Sequence, residues 1–213
     1  MSNIDRTHLY GGSPDVICSL ELQPSEYCYV QYLPIKMADH PGSIRIPQGL
    51  HWVAELLLKV HNIESFYNRY VYLTVKHFYV ETASAANREG WHSDGFMSND
   101  VNYIWYSDMP TQFCNQEFKL THDHSLSIIE MNDQADPANI VTYPNNTLLR
   151  MDERVIHRVN HDCTFKGVRT FIKVSFSDQK YNLKGNTHNY LFDYEWDMID
   201  RSVNRNDPTG GHQ

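Results

Sequence analysis

Three residues far apart in the chain could together hold a metal ion. His92 and Asp94 stand in Gly90-Trp91-His92-Ser93-Asp94-Gly95-Phe96, and His157 stands in Arg154-Val155-Ile156-His157-Arg158-Val159. Two imidazoles and one carboxylate can grip an octahedral divalent ion on one face, leaving the other positions for a second reactant and oxygen. A basic residue, Arg169, follows His157 by twelve positions.

The elements that must position these groups follow from strand periodicity. Residues two apart on a strand project from the same face, so His92 and Asp94 on one strand can reach one ion. Val155, His157 and Val159 alternate with Arg154, Ile156 and Arg158. That pattern predicts a second strand with His157 pointing inward among the valines. Residues 95–156, 62 in all, leave room for several strands between the ligands. A closed or double-sheet β fold could then bring the third ligand back beside the first two.

At these residues the chain resembles the 2-oxoglutarate and Fe(II)-dependent oxygenase superfamily. Its pattern is His-x-Asp, a distal His, then Arg or Lys roughly ten to twelve residues later on the last core strand; His92, Asp94, His157 and Arg169 follow it in order. The resemblance covers about residues 70–177, with Val101 to Tyr106 and Asn146 to Met151 as core strands. It implies a mainly β (α+β) fold with a double-stranded β-helix (jelly-roll, cupin-like) core and a flanking helix. It also implies Fe(II), 2-oxoglutarate and O2 as cofactor and cosubstrates, with release of succinate and CO2. Arg169 would hold the distal carboxylate of 2-oxoglutarate, a role that suits a bidentate guanidinium. Many members carry Ser or Thr two residues beyond that Arg, where this chain has Phe171. The second partner of the carboxylate is then sought among tyrosines, and Tyr72, Tyr103 and Tyr106 stay open as candidates. Halogenating relatives replace the carboxylate with Gly or Ala; Asp94 is retained, so hydroxylation or a related oxidation is expected.

Twelve histidines among 26 acidic residues make an isolated His-x-Asp weak. The combined spacing, flanks and downstream Arg give the pattern its weight. His122-Asp123-His124 is the rival pair, but its Thr and Ser neighbours read as a solvated loop with no third ligand. His157 and His161 are spaced as zinc ligands would be on a helix. On a strand that spacing is about 13 Å, too far to share an ion. Lys173 shares the face of Arg169 and is the fallback anchor.

The chain has 213 residues, 41% of them hydrophobic, enough for one core with no linker dividing it. One oxygenase-like domain over 1–203 is expected, followed by a tail at 204–213 without fixed structure. The first residues lack a signal-peptide core and Leu56-Leu57-Leu58 is too short to span a bilayer, so a cytoplasmic location without membrane attachment is expected. Four widely spaced cysteines read as free thiols. Asn145-Asn146-Thr147 fits a glycosylation acceptor, a triplet common by chance.

A net charge of -8 argues against nucleic acid as a partner, since that binding is built by neutralising phosphates. A small polar metabolite is the expected substrate. The alternatives are a nucleobase or protein side chain, or a cupin-like divalent-metal protein that does not use 2-oxoglutarate. Arg150, Arg154, Arg158, Lys166, Arg169 and Lys173 gather basic charge near the site strands.

Further elements frame this core. Val16 to Leu22 and Tyr27 to Leu33 read as strands, and Tyr70 to Glu81 as a long one. Pro47 opens a helix with Leu50, Val53, Ala54, Leu57 and Leu58 on its apolar face. The loop Thr82 to Gly90 leads into the metal segment, where substrate contacts are commonly carried. Tyr190, Leu191, Phe192, Tyr194 and Trp196 supply surface to pack on the domain or on a second subunit in a homodimer.

Overall fold

The computed structural model describes residues 9–39, 44–81, 90–160 and 163–201. The expectations for the first residues, for most of the loop 82–90, for His161 and for the tail 204–213 lie outside these.

The longest alternating segments build the centre. Strand β3 (Tyr70–Val80) and strand β9 (Gly167–Ser177) pair antiparallel along their whole length, from Tyr70 opposite Ser177 to Val80 opposite Gly167. Around them stand β1 (Asp15–Ser19), β2 (Cys28–Lys36), β4 (Val101–Tyr106) and β7 (Thr147–Met151). The six form one sheet in the order β1-β7-β4-β9-β3-β2, and every pairing is antiparallel. A smaller sheet joins β5 (Gln112–Cys114), β6 (Ile140–Thr142) and β8 (His157–Arg158) in the order β6-β5-β8. The fold is therefore mainly antiparallel β with few helices.

The two faces of the large sheet do different work. Val71, Leu73 and Val75 of β3, Tyr103 and Trp105 of β4, and Ile172, Val174 and Phe176 of β9 face α1 (Ala54–His61) and the turn before it. From that side Leu50, Val53, Leu56, Leu57 and Val60 fill the layer. Each such side chain, fully buried, contributes about 1.5–3 kcal/mol of transfer free energy. On the other face Ile104 and Tyr106 of β4 and Leu149 and Met151 of β7 pack with Phe113 of the small sheet.

Two sequence expectations are corrected. Ala54 and Leu58 are exposed rather than apolar-face residues, and Leu56 and Val60 take their place. The segment begins as a 3-10 turn, Gln48–Val53, whose tighter winding rotates the following helix relative to a continuous 3.6-residue stripe. His122-Asp123-His124 is no plain loop. Asp123 accepts hydrogen bonds from the backbone N–H groups of Ser125 and Leu126 and so caps α2 (His124–Gln134). The helix escaped notice because its apolar face is weak, with only Ser127 and Met131 buried.

The aromatic segment beyond β9 packs back on its own sheet, where Tyr181 stacks on Tyr72 at 4.0 Å between ring centroids. Among the described residues, no helix is long and apolar enough to cross a membrane.

Candidate metal centre

His92 and Asp94 lie on less strand than their spacing predicts. His92 makes a single antiparallel bridge with His157, exchanging N–H···O bonds of 3.0 and 2.9 Å, and the chain turns immediately after it. Gly95, at φ 81°, makes the turn, and a Cβ there would come within 2.7 Å of Asp100 Cβ. A larger residue would thus be strained twice, in its backbone and against Asp100. Ser93, wholly buried, points away from its two neighbours and donates to the carbonyl of Glu153.

Helix α2 clamps this segment from outside. The Asn132 side chain accepts from Trp91 N at 2.9 Å and donates to Trp91 O at 3.1 Å, imitating a strand neighbour. Gly90, at φ 85°, leaves room for it, since a Cβ would meet the Asn132 amide at 2.9 Å.

The structure brings the three sequence candidates together. One ligand atom from each of His92, Asp94 and His157 lies within 4.8 Å of the others. His157 Nε2 is 3.6 Å from Asp94 Oδ2, and the two imidazoles are 4.5 Å apart between centroids. Both rings are held through their other nitrogen. His92 Nδ1 donates to the carbonyl of Gly90 at 3.0 Å, and His157 Nδ1 to that of Val155 at 3.2 Å. A carbonyl can only accept, so each Nδ1 carries a proton, and in the neutral ring Nε2 is the nitrogen that can offer a lone pair to a metal. Metal-bound histidines use this arrangement, and the donor set fits a divalent ion with open positions.

Positive charge surrounds the triad. Lys173 Nζ donates to Asp94 Oδ2 at 2.8 Å and to Tyr32 Oη at 3.1 Å. Burial would raise the Asp94 carboxyl, but Lys173, followed by His157 and His92, holds it well below the usual carboxylate range. Lys173 is shifted the other way: burial pulls it down, but Asp94 and Tyr32 outweigh burial and keep it protonated. Arg169, 5% exposed, lies on the same face of β9 and donates to the carbonyls of Asp108 and Met109 at 2.9 and 3.2 Å. Burial lowers its guanidinium to about 10, still charged at neutral pH.

The tyrosine candidates separate by face. Tyr72 and Tyr106 belong to the row that carries Lys173 and Arg169; Tyr103 does not. Tyr103 lies in the helix-side core and donates to Glu64 at 3.3 Å, so the structure does not bring it to the triad. Its neighbours in sequence alternate sides of the sheet, and the odd-numbered ones face α1. Tyr72 donates to Gln179 O at 2.9 Å and Tyr106 to Tyr143 O at 3.2 Å. The other basic residues disperse. Arg150 pairs with Asp15 and Glu64, Arg154 with Asp152, and Arg158 lies over the Trp91 ring at 4.5 Å.

Sequence reasoning missed Lys76. It sits opposite Phe171 on the row between Thr74–Lys173 and Phe78–Arg169. Burial first, then Lys173 and Arg169, push it down to about 8. The available signal was a lysine between Val75 and His77 inside the long apolar strand. Tyr32 was also missed. It stands at φ 47° in a bulge where Gln31 and Tyr32 lie between the pairs Val30–Val75 and Leu33–Leu73. Such bulges re-aim side chains next to functional sites.

No protein-family model matches this chain, and no curated protein matches it. Among solved structures it is similar to EvdO2 from Micromonospora carbonacea var. aurantiaca, seen by itself and complexed with 2-oxoglutarate. Both alignments have 16% identity and a TM-score of 0.36, and cover 62% of this chain and 66% of that one. The aligned part is thus just under two thirds of EvdO2.

Proposed function

We propose that this chain is an Fe(II)- and 2-oxoglutarate-dependent dioxygenase that hydroxylates a small polar metabolite, with release of succinate and CO2. One observation carries the reading: one ligand atom from each of His92, Asp94 and His157 converges within 4.8 Å of the others, beside a row of cationic side chains. Lys76, Arg169 and Lys173 share one face and act electrostatically on one another, while Asp94 is the carboxylate joined to Lys173. A row of cations beside the triad would attract a dicarboxylate.

The residues then have separate tasks. His92, Asp94 and His157 would hold the metal, and bound there it would supply the oxygen and electron-transfer chemistry that side chains lack. The Gly90 and Val155 carbonyls fix the imidazole tautomers. Lys173 orients the Asp94 carboxylate, and Arg169 takes the distal carboxylate of 2-oxoglutarate with Tyr106 or Tyr72 nearby. Ile104, Phe113 and Val155 supply an apolar wall that excludes water. The order β7-β4-β9-β3 packed against β6-β5-β8, with His92 bridged to β8, supports a double-stranded β-helix. Retention of Asp94 supports hydroxylation over halogenation, and chloride buffer should yield no chlorinated product.

The test is succinate formation by purified protein supplied with Fe(II), 2-oxoglutarate and O2. Slow substrate-free turnover, abolished in Asp94→Ala, is expected. Metal binding without any succinate, alone or with a broad metabolite pool, would favour the cupin-like alternative.

A further inference from the structure

The bulge in β2 that brings Tyr32 to Lys173 also lies against a cavity. Its extra backbone groups are claimed by the segment beyond β9: Thr187 N donates to Gln31 O at 2.7 Å, and Gln31 N donates to Thr187 Oγ1 at 2.9 Å. Between bulge and segment lies a cavity of about 380 Å³, within the range of roughly 300–1,000 Å³ usual for small-molecule sites.

Aromatic rings make its walls. Tyr32 meets Tyr181 edge-on at 5.1 Å, Tyr181 stacks on Tyr72, and Tyr194 lies 4.7 Å from Trp196. Two carboxylate residues, Glu195 and Asp197, join the lining, and among the described residues no lysine or arginine does. Aromatic faces carry negative quadrupole potential and attract organic cations, most strongly where water is displaced. Anionic side chains at the same rim add to that attraction and repel a carboxylate or phosphate. Lys173 lies over the Tyr32 ring at 4.8 Å and His188 also joins the lining, so the cation-attracting end is the one formed by Tyr194, Glu195, Trp196 and Asp197.

We propose that this cavity binds an organic ammonium group, and that it holds the cationic end of the substrate; the second part rests on the oxygenase reading above. The connection to the triad is short. Tyr32 lines the cavity, its hydroxyl accepts from Lys173 at 3.1 Å, and Lys173 reaches Asp94 at 2.8 Å. Tyr32 and Lys173 thus form the wall shared by the cavity and the proposed metal centre, across which the substrate would extend. The substrate would carry a positive group at one end and the oxidised carbon at the other.

Titration calorimetry on the full chain, with no metal or 2-oxoglutarate added, tests the cavity directly. The probes are choline and its uncharged carbon isostere, 3,3-dimethyl-1-butanol. Choline should bind saturably and at least about tenfold more tightly than the isostere. The Glu195→Gln/Asp197→Asn pair should weaken choline severalfold, and Trp196→Leu should abolish measurable binding, both with unchanged circular dichroism. Asp193→Asn, a charge change on the same segment outside the lining, should leave it unaltered. Equal affinity for the two probes, no saturable choline binding, or an Asp193→Asn effect as large as that of the pair would overturn the proposal. Because neither metal nor cosubstrate is present, a negative result here leaves the succinate test standing, and failure of that test leaves this site standing.

Discussion

Lys173 Nζ and Asp94 Oδ2 are 2.8 Å apart, with side chains only 9% and 16% exposed. The pair ties β9 of the large sheet to the turn that follows His92. A cation and a carboxylate held this way are interdependent, because neither is well solvated without the other.

Lys173→Met should therefore destabilise the metal-free protein by about 3–5 kcal/mol, the cost of leaving one partner of a buried ion pair alone. A divalent ion at the triad supplies the missing positive charge, so saturating Mn(II) should recover much of the loss. Urea unfolding with and without Mn(II) measures both quantities. A loss below about 1 kcal/mol without metal would show that water reaches the pair and screens it.

His157→Ala should lower Co(II) or Fe(II) affinity by more than the roughly 10–100-fold that loss of an outer partner typically costs. Far-UV circular dichroism should stay β-like, since an open site contributes less to folding than a closed one. Tight metal binding by the variant would remove His157 from the ligand set.

His92, Asp94 and His157 were legible as a candidate triad because their spacing, glycine flank and alternating neighbours are local features. The long strands β3, β4 and β9 were legible for the same reason: each carries its period over at least six residues. What failed was non-local. The strands β5, β6 and β8 are three residues or fewer and owe their conformation to partners, not to pattern. Tyr103 could not be separated from Tyr72 and Tyr106 without knowing which face of the sheet meets α1. Asn132 acts from a helix with a weak apolar face and Tyr32 from a strand bulge, neither of which is marked by local hydropathy.

Asn132→Leu tests the clamp. It keeps the branching of the side chain but removes two hydrogen bonds to Trp91 and one to the Ile128 carbonyl, at about 0.5–1.5 kcal/mol each. Stability should fall by about 1.5–4.5 kcal/mol, and metal affinity should fall with it as the His92 segment loosens. Chemical denaturation and a Co(II) titration provide the two readouts. Unchanged metal affinity despite the expected loss of stability would mean that the His92 bridge to His157 alone positions the ligand.

Arg169→Ala should weaken 2-oxoglutarate binding by about 2–5 kcal/mol, the range for loss of a buried charge-assisted pair. Lys173→Ala should do much less to the cosubstrate, because Asp94 already occupies that ammonium. Equilibrium binding to the Mn(II)-loaded protein separates them. A larger effect at Lys173 would make it the anchor and leave Arg169 a structural residue bound to the Asp108 and Met109 carbonyls.

Lys76 makes the cationic row on this face of the sheet sensitive to pH. Burial, followed by Lys173 and Arg169, pulls its ammonium down to about 8, against about 10.4 for lysine in an unfolded chain. Between those values the unfolded chain binds more protons, so this residue makes folding more favourable as pH rises from 8 towards 10. Its effect on an anionic cosubstrate has the opposite sign. The ammonium attracts a dicarboxylate below about pH 8, and that attraction fades as the proton leaves. Affinity of the Mn(II)-loaded protein for 2-oxoglutarate should thus fall severalfold between pH 7 and 9. Lys76→Met should bind more weakly at pH 7 and show a flatter profile. If the variant keeps the wild-type slope, another group sets it, and the charge on Lys76 is directed at something other than the cosubstrate.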